Sequence, residues 1–435
     1  MSIKKILIKN TAFNLLGYFY LLFVSFFSIS VMLKNLGTDL FGVYIFLSSF
    51  VPLASVFDFG VAVAAVRGLS FSENSEEKKL KIWQTSLFIF LFQAVILFFA
   101  VGGLLFYLYN SMPLFGLLNN EEIFPLFLLI CLTVFVNHLN SHFLNLPQAK
   151  QRFDIFNSKT FLVGSANTIF TALLTYKTSS LISFFALQLF FHLLTFLYTA
   201  IYNYKFFPGI NFLPRYDKTE GSEMLSFGLK NFIGILAGQM EAQISKFFLG
   251  FYSTAQQIAS FNIPQSIVSK GAGIVSQFGQ AFFPLSASLL KKEKILKLKK
   301  LFFNLQMIIG LGSIVGIVLT NLYGYQFLLW WLKDVNVVNT SFPVLKILIY
   351  YFLLVALTPI PTALVQGLNK PQIASFFAVL TITFEIITLF YFVPRYQAVG
   401  AAYSFLLSSL ISVPAFIVTS WIVFEKEIKR LETRA

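Results

Sequence analysis

The sequence predicts an all-α, polytopic integral membrane protein with twelve transmembrane helices. Three observations lead to this fold class. The 435 residues are 57% hydrophobic and 11% charged, with a mean hydropathy of +0.77, whereas soluble domains are about a quarter charged. Apolar runs of about 20 residues, the length that crosses a bilayer, recur along the whole chain. Basic residues cluster in the short segments between these runs, as they do on the cytoplasmic side of membrane proteins.

The predicted spans form two sets of six. The first set covers residues 11–33, 41–66, 83–109, 123–146, 157–176 and 181–202, and the second covers residues 226–250, 254–290, 301–323, 345–368, 373–392 and 399–424.

The two sets repeat one another. A Leu-Gly pair precedes a span that is interrupted by Pro52, and the same pair precedes a span that is interrupted by Pro264. LNLPQA, at the end of the fourth span, recurs as LNKPQI at the end of the tenth. Because six is an even number, the two bundles have the same orientation and are related by a pseudo-two-fold axis along the membrane normal. We predict an N-terminal six-helix bundle over residues 1–203, a cytoplasmic linker over residues 204–225 and a C-terminal six-helix bundle over residues 226–435.

The distribution of basic residues predicts the orientation. Of the 32 lysines and arginines, only Lys34, Lys177, Lys333 and Arg395 fall in outer segments if both termini are cytoplasmic. The densest cluster, residues 291–300, either anchors this topology or lies along anionic lipid. The net charge of +14 therefore reflects membrane topology, and we do not expect nucleic acid as a partner.

The seventh span, residues 226–250, carries Lys230, Glu241 and Lys246 inside an apolar run. Ionisable side chains at membrane depth are functional candidates because burying an unpaired charge is expensive. Lys230 and Glu241 fall on one helical face with small residues between them, so this face is expected to line a wet interior. Two alternatives are that Lys230 snorkels to the rim and that Glu241 pairs with Lys270 of the eighth span.

The two proline-interrupted spans indicate the binding region. Paired interruptions in corresponding spans are the best sequence indication of where a transporter binds its substrate. Arg67 ends the second span and Lys270 follows Pro264 in the eighth. Together with Lys230 and Lys246 they form a cationic set that would attract a phosphate group.

The sequence lacks the common catalytic motifs. It contains no G-x-x-x-x-G-K-[ST] for ATP and no G-x-S-x-G elbow. His138 and His142 have helical spacing but no third ligand nearby, which favours structural hydrogen bonding over a metal site. A polymerase or ligase that uses a polyprenyl donor would place catalytic carboxylates in an outer loop, and the acids there have no obvious partners. We expect no enzymatic activity, no cofactor and no bound metal.

Several short motifs resemble a known family. They are LGTDLFGVY (residues 36–44), DFGVAVAAVR (58–67), FYSTAQQIASF (251–261), AFFP (281–284) and YQAVGAAYS (396–404). In this order and spacing the chain resembles bacterial O-antigen and lipid-linked oligosaccharide flippases, which are polysaccharide export proteins of the multidrug/oligosaccharidyl-lipid/polysaccharide exporter superfamily.

The resemblance implies a twelve-helix exporter that works by alternating access in the bacterial inner membrane. Its substrate would be an undecaprenyl-pyrophosphate-linked oligosaccharide, an O-antigen or capsule repeat unit, that moves from the cytoplasmic to the outer face. Its other partners would be membrane lipids and the polysaccharide polymerase machinery. Glu241 stands where many members have an aspartate, and Glu241 and Asp58 are the candidates for ion coupling. The positions that match pyrophosphate-binding residues in character are Arg67, Lys230, Lys246 and Lys270, of which only Arg67 lies in a family motif.

The alternative is a cation-coupled multidrug extruder of the same superfamily fold. An extruder of cationic drugs needs acidic side chains that face an apolar pocket. The predicted spans instead hold at least as many lysines as acids, which favours an anionic substrate. The lysines are Lys230, Lys246, Lys270 and Lys346, and the acids are Asp58, Glu241 and Glu385.

Overall fold

The computed structural model describes residues 3–71, 75–150, 152, 155, 164–207, 209–288 and 295–433. Helices account for nearly all of these residues, and no β-strand occurs among them. The prediction of an all-α chain is confirmed.

The described residues form thirteen α-helices, several of which are longer than one bilayer span. They are α1 (Ile3–Ser48), α2 (Phe50–Ala54), α3 (Val61–Phe71), α4 (Glu76–Ser111), α5 (Asn120–Ala149), α6 (Asn167–Leu174), α7 (Leu181–Phe206), α8 (Lys218–Tyr252), α9 (Ala255–Ser288), α10 (Ile295–Leu332), α11 (Val335–Ala356), α12 (Pro359–Gly367) and α13 (Gln372–Thr433).

Two of these helices contain a break in the backbone. Gly37 has a φ of 73° inside α1, and Gln397 has a φ of 50° inside α13. Helix α1 therefore covers the first predicted span and the start of the second, and α13 covers the eleventh and the twelfth. Seven of the described helical segments are long and apolar enough to cross a membrane.

The chain divides into two compact units. The N-unit is Tyr20–Gln239, and the C-unit is Met1–Phe19 together with Met240–Ala435. Helix α8 contributes residues to both units and begins at Lys218, within the predicted linker. The division into bundles at residues 203 and 226 stays a prediction.

The second predicted span is broken, as Pro52 indicated. After α2 the chain makes a 3-10 turn, Ser55–Asp58, and then Phe59 and Gly60 adopt left-handed φ angles of 51° and 75°. A Cβ atom on Gly60 would lie 2.5 Å from the carbonyl oxygen of Gly228 in α8. Glycine at both positions therefore lets two backbones of the N-unit touch directly.

The eighth predicted span is not broken, so the expected interruption at Pro264 is wrong. Helix α9 runs through this residue from Ala255 to Ser288, since a proline within a helix removes one hydrogen bond and often only kinks it. A glycine in α9 allows this helix to pack closely against a neighbouring helix of the C-unit. A Cβ atom on Gly279 would lie 2.8 Å from the carbonyl oxygen of Pro359 at the start of α12.

The core of the N-unit is built around Trp83 of α4, whose side chain is fully buried. Its ring centroid lies 4.1 Å from that of His142 and 5.7 Å from that of Phe143, both on α5. Its Nε1 donates to the carbonyl oxygen of Asn211 at 3.0 Å. Trp83 thus attaches the segment before α8 to the helical core. In the C-unit the corresponding core packs Phe282, Phe302 and Phe424 together.

Trp83→Phe is expected to lower the free energy of unfolding by about 1–2 kcal/mol, because it removes the donor to Asn211 and part of a buried ring. The measurement is thermal unfolding of the purified full chain. Unfolding is monitored by the labelling of Cys131, which is the only cysteine in the sequence and is buried in the folded protein. Trp330→Phe is the control, since Trp330 is 66% exposed. Equal melting temperatures for the two variants would contradict the account of this core.

Candidate functional site

Two acidic side chains and a tyrosine lie near one another inside the C-unit and form what we call the carboxylate site. Tyr351 of α11 donates its hydroxyl to Oε1 of Glu241 on α8 at 2.9 Å. Glu385 of α13 lies in the neighbourhood of both side chains. The ring of Tyr351 packs against that of Phe405, with 5.1 Å between centroids. Three helices therefore hold Glu241, Tyr351 and Glu385 together.

The two acids differ in exposure. Glu385 is 0% exposed, and within the described part of the chain neither of its carboxylate oxygens has a hydrogen-bond partner. Glu241 is partly exposed. An ionised carboxylate buried without a partner is strongly destabilising. Glu385 therefore requires a proton or a bound cation.

The carboxylate site can take up and release positive charge. Two carboxylates near one another in a low-dielectric interior cannot both carry uncompensated negative charge, so at least one of them takes up a proton or a cation. Glu241 is the more exposed member of the pair and is therefore the one from which a proton or cation is more easily released.

Asp58, the second ion-coupling candidate, has a structural position in the N-unit. Its carboxylate accepts hydrogen bonds from the backbone N–H groups of Gly60 at 2.9 Å and Ala62 at 3.3 Å. These bonds satisfy free donors at the start of α3, as a helix cap does. The backbone carbonyl of Asp58 accepts from Nε2 of Gln93 at 3.3 Å. Its role in ion coupling stays a prediction.

The predicted cations are divided between the units. Arg67 belongs to the N-unit, where its Cζ lies 4.5 Å from the ring centroid of Phe227. Lys246 and Lys270 belong to the C-unit, and Nζ of Lys246 donates to Oε1 of Gln243 at 2.9 Å. Helix α8 includes Lys230, whose side chain lies outside the described residues. The convergence of these cations on one substrate group stays a prediction.

The histidines of α5 are hydrogen-bonded in the N-unit core, which agrees with the structural interpretation of their spacing. Nε2 of His138 lies 3.1 Å from Oε1 of Gln93, and Nδ1 of His142 lies 3.1 Å from Oγ of Ser86. Both partners are on α4. These polar pairs fix the register of α4 against α5.

Comparison with known proteins then decides the family. Residues 7–290 match the family described as Polysaccharide biosynthesis protein. The chain belongs to this family. Over 406 residues it is 22% identical to a Shigella flexneri protein named "Putative O-antigen transporter", and this alignment covers 92% of the chain and 94% of that protein.

Solved structures share the fold of this polysaccharide biosynthesis family member. A multidrug resistance MATE family transporter of the MOP superfamily gives a TM-score of 0.77 at 13% identity, over 94% of this chain and 96% of the other. The lipid II flippase MurJ gives 0.69 at 15% identity, over 96% and 90%. These likenesses confirm a polytopic all-α membrane protein with the twelve-helix, two-bundle fold of MOP superfamily transporters.

Sequence reasoning identified one member of the carboxylate site and missed two. Glu241 stood out because it lies among small and polar residues in an apolar run. Glu385 is one of the acids within predicted spans, and a lone acid near the middle of residues 373–392 is a signal for a functional site, although the sequence alone gives it no role. Tyr351 gave no signal, since aromatic residues make up 18% of the chain.

Proposed function

We propose that this protein is an alternating-access flippase for an undecaprenyl-pyrophosphate-linked oligosaccharide, an O-antigen or capsule repeat unit. The family match, the name of the Shigella relative and the fold shared with a lipid II flippase support this substrate class. The relatives are transporters, and we propose that this chain likewise has no enzymatic activity.

The carboxylate site is the observation that carries the mechanism. In the proposed cycle, a proton or monovalent cation binds at Glu241 and Glu385 and neutralises their charge, which stabilises one state of the C-unit. Its release leaves two neighbouring carboxylates and stabilises the other state. A ligand shifts such an equilibrium by its difference in affinity for the two states. Tyr351 positions Glu241 in this cycle through its hydroxyl.

Lysines are proposed to hold the pyrophosphate during the cycle. Lys246 and Lys270 of the C-unit, with Lys230 of α8, carry the positive charge that a diphosphate requires, and a lysine binds phosphate as a point charge. Arg67 completes the set predicted from the sequence. In the N-unit Arg67 lines a cavity together with Glu220 and Glu223, and competition by inorganic pyrophosphate at that cavity tests whether Arg67 binds the substrate.

The protein is proposed to lie in the bacterial inner membrane with both termini in the cytoplasm, as the basic loops indicate. Its proposed partners there are the lipid-linked oligosaccharide, membrane lipids and the polymerase machinery that receives the flipped unit. In this orientation the substrate enters from the cytoplasmic side.

The pool of lipid-linked intermediates tests this proposal. In a strain that lacks the protein, a completed undecaprenyl-pyrophosphate oligosaccharide is expected to accumulate and to be detected by mass spectrometry of lipid extracts. The wild-type gene should clear the pool. If no such lipid accumulates and the strain instead becomes sensitive to cationic compounds, the multidrug extruder replaces the flippase as the proposed function.

A further inference from the structure

A cavity of about 260 Å³ lies in the N-unit where α3, α4 and the start of α8 meet. Four of its lining residues are charged: Arg67, Lys78, Glu220 and Glu223. Two positive and two negative side chains thus surround one small space. None of the ion pairs found among the described residues involves either glutamate.

The acidic side of this cavity favours an additional cation. Burial raises the pKa of the Glu220 carboxyl, whereas the charges of Lys78 and Lys81 lower it, and the net shift of this pKa is upward. The neighbouring carboxylates of Glu223 and Asp217 raise it further. A positive group placed between Glu220 and Glu223 would relieve this repulsion.

The remaining wall of the cavity is apolar. Ile82, Met224 and Phe227 contribute to it, and the guanidinium of Arg67 lies against the Phe227 ring. On the same helices, Val63 and Leu229 are 46% and 51% exposed. The cavity therefore lies where the charged first turn of α4 gives way to apolar residues. This is the level of lipid headgroups in a transmembrane helix.

We propose that this cavity binds the headgroup of a zwitterionic phospholipid with a primary ammonium group. The ammonium lies between Glu220 and Glu223, and the phosphate contacts Arg67 and Lys78. The acyl chains follow the exposed apolar side chains of α3 and α8. The site is separate from the carboxylate site, which lies in the C-unit.

Size and charge argue against an oligosaccharide and against a diphosphate as the occupant of this cavity. Drug-sized ligands need pockets of about 300–1,000 Å³, so an oligosaccharide is too large for this cavity. A diphosphate brings only negative charge and would be repelled by two carboxylates. A headgroup that carries both charges complements both sides of the cavity.

Lipid binding to the purified full chain tests this proposal. Because the assay does not measure transport, its result does not depend on whether the protein is a flippase. Delipidated protein is titrated with phosphatidylethanolamine or phosphatidylglycerol, and bound lipid is counted by native mass spectrometry. The wild type is expected to bind one phosphatidylethanolamine about tenfold more tightly than phosphatidylglycerol, because two charge-assisted contacts distinguish the ammonium.

A matched pair of variants assigns this preference to the cavity. E220Q/E223Q is expected to lose the tenfold preference. The control E425Q/E427Q should keep the preference. It removes the same amount of charge, but from α13, where Glu425 and Glu427 pair with Lys299 and Arg430 and do not line the cavity. Lys78→Gln should weaken the binding of both lipids.

Two outcomes would overturn the proposal. One is an unchanged preference in E220Q/E223Q. The other is that inorganic pyrophosphate displaces the bound lipid from the wild-type protein. This result would show that the cavity binds a diphosphate and that Arg67 contacts the transport substrate.

Discussion

Glu385→Gln is expected to reduce transport at least about tenfold while leaving the protein folded. Glutamine has the shape of a protonated glutamate but cannot release the proton or hold a cation, so the carboxylate site stays in its neutral state. Stability should be retained or increased, because the substitution removes a buried group that destabilises the fold when ionised. The measurement is the clearance of lipid-linked intermediate in the deletion strain, with protein level determined by immunoblot.

Two further variants show whether the effect comes from the site. Glu241→Gln should produce a loss of the same order, whereas Glu427→Gln, which changes an acid outside the predicted spans, should clear the pool normally. Tyr351→Phe removes only the hydroxyl that donates to Glu241, so a partial loss of about two- to tenfold is expected. Full activity of Glu385→Gln would show that its carboxylate has no part in transport.

Gly228→Ala is expected to destabilise the N-unit by about 2–3 kcal/mol. Its new Cβ atom would overlap the carbonyl oxygen of Phe59, and it would lie 2.9 Å from the carbonyl carbon of Gly60. The neighbouring atoms are backbone atoms at the left-handed turn, so they cannot move aside as a side chain would. The apparent Tm of the purified protein, followed by Cys131 labelling, measures the effect.

Gly238→Ala is the matched control on the same helix. A Cβ atom there would meet nothing within 4 Å, and alanine is favoured over glycine inside a helix by about 0.5–1 kcal/mol. The control should therefore raise Tm or leave it unchanged. If the two alanine variants have the same apparent Tm, the direct contact of the two backbones at Gly60 and Gly228 does not stabilise the N-unit.

Much of the fold follows from the sequence, because membrane spans are encoded locally. The length and apolarity of each run predict a helix without knowledge of its neighbours. The break near Pro52 followed from the same local chemistry. Pro264 did not behave in this way, since the effect of a proline depends on how neighbouring helices pack around it.

The sites were less predictable because their residues come from distant parts of the chain. Glu241 was identifiable alone, but its contact with Tyr351 spans 110 residues. The position of Arg67 at the end of a span predicts a cation that binds the substrate. Nothing local to it indicates Glu220 and Glu223, which reach the same cavity from the start of α8.

Reconstituted transport tests the central claim most directly. Purified protein is inserted into vesicles whose inner leaflet carries an undecaprenyl-pyrophosphate oligosaccharide, and an external glycosidase reports its arrival in the outer leaflet. We predict that the wild type exposes the oligosaccharide to the glycosidase and that Glu385→Gln, inserted to the same level, does not. Equal protection of the oligosaccharide in wild-type vesicles and protein-free vesicles would contradict the flippase account.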